Sequence, residues 1–107
     1  MKIAIDFDNT VVNKLNEPFK NSIDVLKRLG EKHDLVLYTS RYEARRKEAL
    51  KFLRDSGVKI SEPDFLATVG RKFLADIYID DKNLGGLPSD EEGNPDWLKI
   101  EKMIGFH

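Results

Sequence analysis

The sequence predicts an α/β domain built on a parallel sheet with helices on both faces. Three observations carry that expectation. Short apolar runs at Ile3 to Phe7, Leu35 to Tyr38 and Ala75 to Ile79 have the length and β-branched content of buried strands. Between and after them, apolar residues recur at helical spacing, and strand–helix alternation is the order that makes a parallel sheet. Each run also ends directly on a polar cluster: Asp6 and Asp8, Thr39 and Ser40, Asp80 and Asp81.

The elements follow in order. After the first strand, Val11 to Glu17 reads as a short polar connection, and Pro18 suits the first turn of a helix. Phe19, Ile23, Leu26 and Leu29 form one helical stripe, with Gly30 as a C-terminal stop. The second strand is followed by a helix from about Tyr42 to Ser56. Its inward residues are Tyr42, Ala49, Phe52 and Leu53, and Gly57 closes it. Val58 to Ile60 reads as a short edge strand, Ser61 to Asp64 as a turn, and Phe65 to Val69 as either strand or helix. Beyond the third strand, Leu84 to Asn94 is rich in glycine and acid, hence a loop. A last helix opens at Pro95 or Asp96 and places Trp97, Ile100 and Ile104 on one face, with Trp97 as its core anchor.

At 107 residues the chain has room for one hydrophobic core, so residues 1–107 read as a single domain. A net charge of −1 supplies no basic field for nucleic acid or a membrane surface. The absence of cysteine excludes disulfides, thiolate metal sites and cysteine catalysis. No apolar run approaches the ~20 residues of a membrane span. Asp6 and Asp8 interrupt the only apolar start a signal peptide could use, so cytoplasmic location is the default expectation. His33 and His107 carry no functional weight.

Right-handed crossovers place the C-terminal ends of parallel strands on one rim, the edge where open α/β sheets bind ligands. A single aspartate there is ordinary turn chemistry. Four carboxylates converging there repel one another and call for a counter-charge. A hard divalent cation with oxygen ligands answers that need, and Mg²⁺ suits a few carboxylates together with a substrate phosphate. Lys72, eight residues before Asp80, offers a second positive charge, although a solvated lysine beside Arg71 is an equally simple reading. Thr39 and Ser40 are either plain strand-end hydroxyls or donors to a phosphate oxygen.

Asp6, Phe7, Asp8, Asn9 and Thr10, then Thr39 after an apolar strand, Lys72, and Asp80 with Asp81 after Ile77 to Ile79, resemble in order and spacing the four motifs of the haloacid dehalogenase (HAD) superfamily. The resemblance runs from residue 1 to about residue 84, and Ala75 to Asn83 is similar to small bacterial and phage members described as hydrolases. It implies a three-layer Rossmann-like core and a Mg²⁺-dependent phosphatase. Asp6 is then the nucleophile that becomes an aspartyl-phosphate, and Asp8 the general acid and later the base. Thr39, with Ser40, binds the phosphoryl oxygens, and Lys72 neutralises Asp6 and the phosphate. The metal ligands implied are Asp6, Asp8, Asp80 and Asp81, with Asp80 ranked above Asp81. As an acid, Asp8 needs a raised pKa, which a neighbouring carboxylate favours.

Family members often carry a cap domain after the first motif or between the second and third. Val11 to Glu17 leaves no room for one, and Arg41 to Arg71 holds one helix with its succeeding strand or turn, so the chain resembles a capless member. A second subunit in a homo-oligomer, a large substrate, or the loop from Leu84 to Asn94 are the three replacements open to it. The expected partner is a phosphorylated small molecule. A nucleic-acid end, or a regulatory domain that binds Mg²⁺ and phosphate without turnover, are the alternatives. Arg41, Arg45 and Arg46 crowd the start of the second helix, where the dipole disfavours cations. Arg41, nearest Thr39, is expected to touch substrate, since its fork matches phosphate oxygens. Arg45 and Arg46 fit solvation and function equally well.

Overall fold

The computed structural model describes residues 1–62 and 75–105. Within them the chain forms β1 (Lys2–Ile5), α1 (Ser22–Lys32), β2 (Asp34–Leu37), α2 (Glu43–Asp55), β3 (Ile77–Ile79) and α3 (Trp97–Ile104). The strands make a parallel sheet in the order β2-β1-β3. β1 is central and its Ile3, Ala4 and Ile5 are buried, as a strand covered on both faces requires. The segment Phe65 to Val69, Lys72, Phe106 and His107 lie outside the described residues.

Register decides where the strands end. Ile5 lies opposite Leu37 on one side and Ile79 on the other, so all three strands stop level with one another. Asp6, Tyr38 and Asp80 therefore leave the sheet together. The chain moves from β1 to one neighbour and later reaches the other, which opens a crevice at the strand ends between β1 and β3.

The helices differ from the sequence expectation at their ends. α1 begins at Ser22, not near Pro18, because Pro18 pairs with Val12 in an antiparallel bridge and the Phe19 N–H donates to Val11 O at 2.9 Å. Gly30 does not stop α1 but lies inside it. There a Cβ would sit 3.1 Å from Lys59 O, so glycine permits the close approach of helix and chain. In α2, Ala49, Leu50 and Leu53 are buried, whereas Tyr42 precedes the helix and is 84% exposed. Its direction is not set by the helical stripe. Gly57 does terminate α2: with φ +92° it lets its own N–H donate to Arg54 O and the Val58 N–H to Leu53 O, both at 3.0 Å. This is a Schellman closure, and it brings buried Val58 over buried Leu53. Val58 to Ile60 form no strand; among the described residues that follow them, Ser61 bridges to Val36 beside β2.

α3 starts as its sequence suggests. Asp96 caps it by accepting the Lys99 N–H at 3.1 Å, and Trp97, Ile100 and Ile104 are its buried face. A forked pair from Arg28 to Glu101, at 2.7 and 2.9 Å, ties α1 to α3 across an exposed seam. No helix among the described residues is long and apolar enough to cross a membrane.

Candidate functional site

The three strand ends meet in a cleft of about 420 Å³. Asp6, Asp8, Thr39, Ser40, Asp80 and Asp81 all line it, joined by Tyr38 and Lys82. Carboxylate oxygens of Asp6, Asp80 and Asp81 lie within 4.8 Å of one another. Two backbone facts put them there. The Asp6 N–H donates to Ile79 O at 2.9 Å, which continues the β1–β3 ladder by one step. Thr10, fully buried, then couples both ends. Its hydroxyl donates to Asp6 Oδ2 at 3.4 Å and accepts the Asp81 N–H at 3.2 Å, while its carbonyl accepts Trp97 Nε1–H at 2.9 Å.

Crowding has an electrostatic consequence. Burial first, then the hydrogen-bonding carboxyl of Asp81 and the charges of Asp80 and Asp81, push Asp6 up to about 7, against the opposing pull of the Phe7 N–H. Among the described residues no salt bridge reaches these three aspartates. A partly buried carboxylate group with this much mutual repulsion has the donor chemistry of a hard divalent cation site.

Asp8 stands apart. Arg41 Nε donates to Asp8 Oδ2 at 2.8 Å and Nη2 to Oδ1 at 2.6 Å, a forked pair that occupies both oxygens. Nη2 also donates to Asn16 Oδ1 at 2.8 Å, and the guanidinium carbon sits 4.8 Å from the centre of the Phe7 ring. The Arg41 side chain is only 8% exposed.

Three expectations meet a different arrangement here. Asp8 does not belong to the close carboxylate group. Its pKa is also lowered, not raised: the Arg41 hydrogen bonds outweigh burial, and the charges of Arg41 and Arg45 add to them. The neighbour that matters to Asp8 is a cation. Arg41, expected at the substrate, has Asp8 and Asn16 as partners and does not line the cleft. Arg46 is half-buried on the Ala49 and Leu53 side of α2, and Arg45 is exposed. Lys72 lies outside the described residues.

Sequence reasoning gave no role to Thr10, Asn16 or the Phe7 ring. Thr10 was visible as part of the first motif, yet only the level strand ends reveal that it spans to Asp81. Asn16 is presented by a tight turn in which Asn13 Oδ1 accepts the N–H groups of Leu15 and Glu17 at 2.8 and 3.0 Å. Asn13 and Asn16 signal that turn, but nothing local signals the reach to Arg41.

The loop from Leu84 to Asn94 contributes no residue to the cleft. It lines a larger cavity of about 660 Å³ on the Asn13 to Asn21 side, where Asp90 accepts the backbone N–H groups of Glu92 and Asn94.

The fold and site together define a small α/β protein with a carboxylate-lined cleft at the ends of a parallel sheet. No protein-family model matches the chain, and no curated protein matches it. A solved structure does: a conserved protein from Bacteroides thetaiotaomicron, 34% identical, over 99% of this chain and 90% of that one, with a TM-score of 0.80. The chain belongs to the same family as that conserved protein.

Proposed function

We propose that this protein is a capless, Mg²⁺-dependent phosphate monoester hydrolase of the HAD type, on a three-layer Rossmann-like core. The observation that carries the reading is the convergence of Asp6, Asp80 and Asp81 within 4.8 Å in a cleft that also holds Asp8, Thr39 and Ser40. Asp6, Asp80 and Asp81 would hold the cation, and Mg²⁺ would supply charge neutralisation for the phosphoryl group and for the carboxylates themselves.

The chain's own groups divide the chemistry. An Asp6 oxygen attacks phosphorus, the ester P–O bond breaks, and the leaving oxygen takes a proton from Asp8. A water then attacks the aspartyl-phosphate, gives its proton to Asp8, and the bond to Asp6 breaks to release inorganic phosphate. The Thr39 and Ser40 hydroxyls, which line the cleft, donate to phosphoryl oxygens in this reading. The Thr39 Oγ already accepts the Arg41 N–H at 3.2 Å, which leaves its own proton for that purpose. Arg41 favours the ionised Asp8 used in the second step and opposes the protonated form that the first step draws on, so Asp8 takes up that proton against the pull of Arg41. The substrate is a phosphorylated small molecule.

The test is phosphate release with Mg²⁺ across sugar phosphates, nucleotides and 3′- or 5′-phosphorylated oligonucleotides. Mg²⁺-dependent release from small monoesters, lost in Asp6→Asn, supports the reading. Release from oligonucleotides alone replaces the substrate class, and no release from any of them overturns the enzymatic reading.

A further inference from the structure

Four carboxylates reach the rim, yet only three form the close group. The fourth, Asp8, is two residues from Asp6 and opens onto the same cleft. Its two oxygens are both occupied by one guanidinium. That guanidinium is itself fixed from two other directions, by Asn16 Oδ1 at 2.8 Å and by the face of Phe7 at 4.8 Å. A side chain with 8% exposure and three anchors is no casual surface ion pair.

We infer that Arg41 is a positioning residue that keeps the Asp8 carboxylate out of the cation site and aimed at the reacting phosphate. The inference rests on the proposed Mg²⁺ site and extends it. Without Arg41, Asp8 carries a free charge beside three other carboxylates, and a shared divalent cation relieves the repulsion. Asp8 then becomes a fourth ligand, and a carboxylate bound to the metal is lost to proton transfer. Tighter metal binding and slower turnover therefore arise together. Asn16 acts one step further out: its side chain orients the guanidinium and never meets the cation.

Charge alone could mimic part of this result, since deleting a cation strengthens any nearby cation site. Arg41→Lys separates the two causes, because it keeps the charge and loses the fork. The experiment is Mg²⁺ titration by calorimetry on the wild type, Arg41→Lys, Arg41→Ala, Asp8→Asn and the double variant Arg41→Ala/Asp8→Asn, with kcat and KM on a small phosphate monoester. In both Arg41 variants, Mg²⁺ affinity is expected to rise and kcat to fall, each by about tenfold, with KM little changed. Asn16→Ala should shift both in the same direction by less. In the Asp8→Asn background, the affinity gain from removing Arg41 should disappear. If the gain persists in that background, it is a field effect and the inference is overturned. Unchanged affinity in Arg41→Lys and Arg41→Ala overturns it as well. A wild type that binds no Mg²⁺ instead removes the proposed metal site, and the inference with it. If Arg41→Ala fails to fold, Arg41→Lys and Asn16→Ala, which leave the packing over Phe7 largely in place, decide the question alone.

Discussion

Two regions of this molecule are rich in aspartate and glutamate, and they use their charge in opposite ways. In the loop before α3, two aspartates accept backbone N–H groups. Asp90 Oδ1 accepts the N–H groups of Glu92 and Asn94, both at 2.9 Å, and Asp96 caps α3. On the rim of the sheet, Asp6, Asp80 and Asp81 face one another, and burial and repulsion push Asp6 up to about 7. An acidic loop needs no ligand once its oxygens accept N–H groups. The rim carries an electrostatic penalty that only a proton or a cation removes. Sequence composition alone does not separate these cases; the direction in which the oxygens point does.

The comparison breaks most easily at Asp6. Asp6→Asn should abolish phosphatase turnover, by at least about 10³-fold, because an amide cannot replace the nucleophilic carboxylate. The fold should survive, since Asn is nearly isosteric and one charge leaves a crowded group. Steady-state phosphate release near the wild-type rate would remove Asp6 from the nucleophile's role and with it the proposed chemistry.

Metal dependence sharpens the contrast next. Chelation should abolish activity, and Mg²⁺ should restore it and raise the melting temperature, since it binds the native state alone. Asp80→Ala and Asp81→Ala should each weaken the Mg²⁺ response, by roughly 10–100-fold in affinity, with Asp80 the larger. Asp80 follows β3 directly, whereas the Asp81 backbone is already engaged with Thr10. The reverse ranking would make Asp81 the principal ligand.

The raised Asp6 value also makes a pH prediction for the protein without metal. The native state holds the Asp6 proton more tightly than the unfolded chain does. Between the ordinary value of 3.8 and about 7, the native state therefore binds more protons, and stability falls as pH rises. Above about 7 the Asp6 contribution is level. His33 works oppositely within this window, because burial, the N-terminus and Lys32 lower its value. The difference between wild type and Asp6→Asn isolates Asp6. Moving from pH 5 to pH 7.5 without Mg²⁺, wild type should lose several degrees of melting temperature relative to Asp6→Asn. Parallel pH curves for the two proteins would mean that the rim carries no such penalty.

Much of this was legible in the sequence. The β1, β2 and β3 runs were plain from continuous apolar stretches, and level strand ends follow from parallel pairing, so the joining of Asp6 with Asp80 and Asp81 could be foreseen. Helix boundaries were less legible, because tertiary contacts decided them. Pro18 was drawn into a bridge with Val12, and Gly30 answered a neighbouring chain segment rather than a helix end. Asp8 was least legible of all. Its proximity to Asp6 in sequence suggested a shared metal and a raised pKa. The partner that lowers the pKa and occupies both oxygens is an arginine 33 residues away, held by a turn whose only local signal was a pair of asparagines. Motif spacing places carboxylates on a rim, but it does not say which of them a cation has already claimed.

The smallest effect belongs to the loop, and it tests the other half of the comparison. Asp96 accepts one N–H at the start of α3, so Asp96→Ala should cost about 1 kcal/mol, equivalent to a fall of about 5 °C in melting temperature for a domain of this size. Asp96→Asn keeps the acceptor and loses the charge, and should stay within a few tenths of a kcal/mol of wild type. Hydrogen bonding, not charge, is the contribution of this carboxylate. Neither substitution should alter the increment in melting temperature that Mg²⁺ produces, because Asp96 lies outside the close carboxylate group and lines a different cavity. Thermal melts with and without Mg²⁺ on both variants make the measurement. If Asp96→Ala and Asp96→Asn both reduced the Mg²⁺ increment, as Asp80→Ala should, the loop's charge would be part of the cation's field. The division between acids bound to backbone and acids awaiting a cation would then fail.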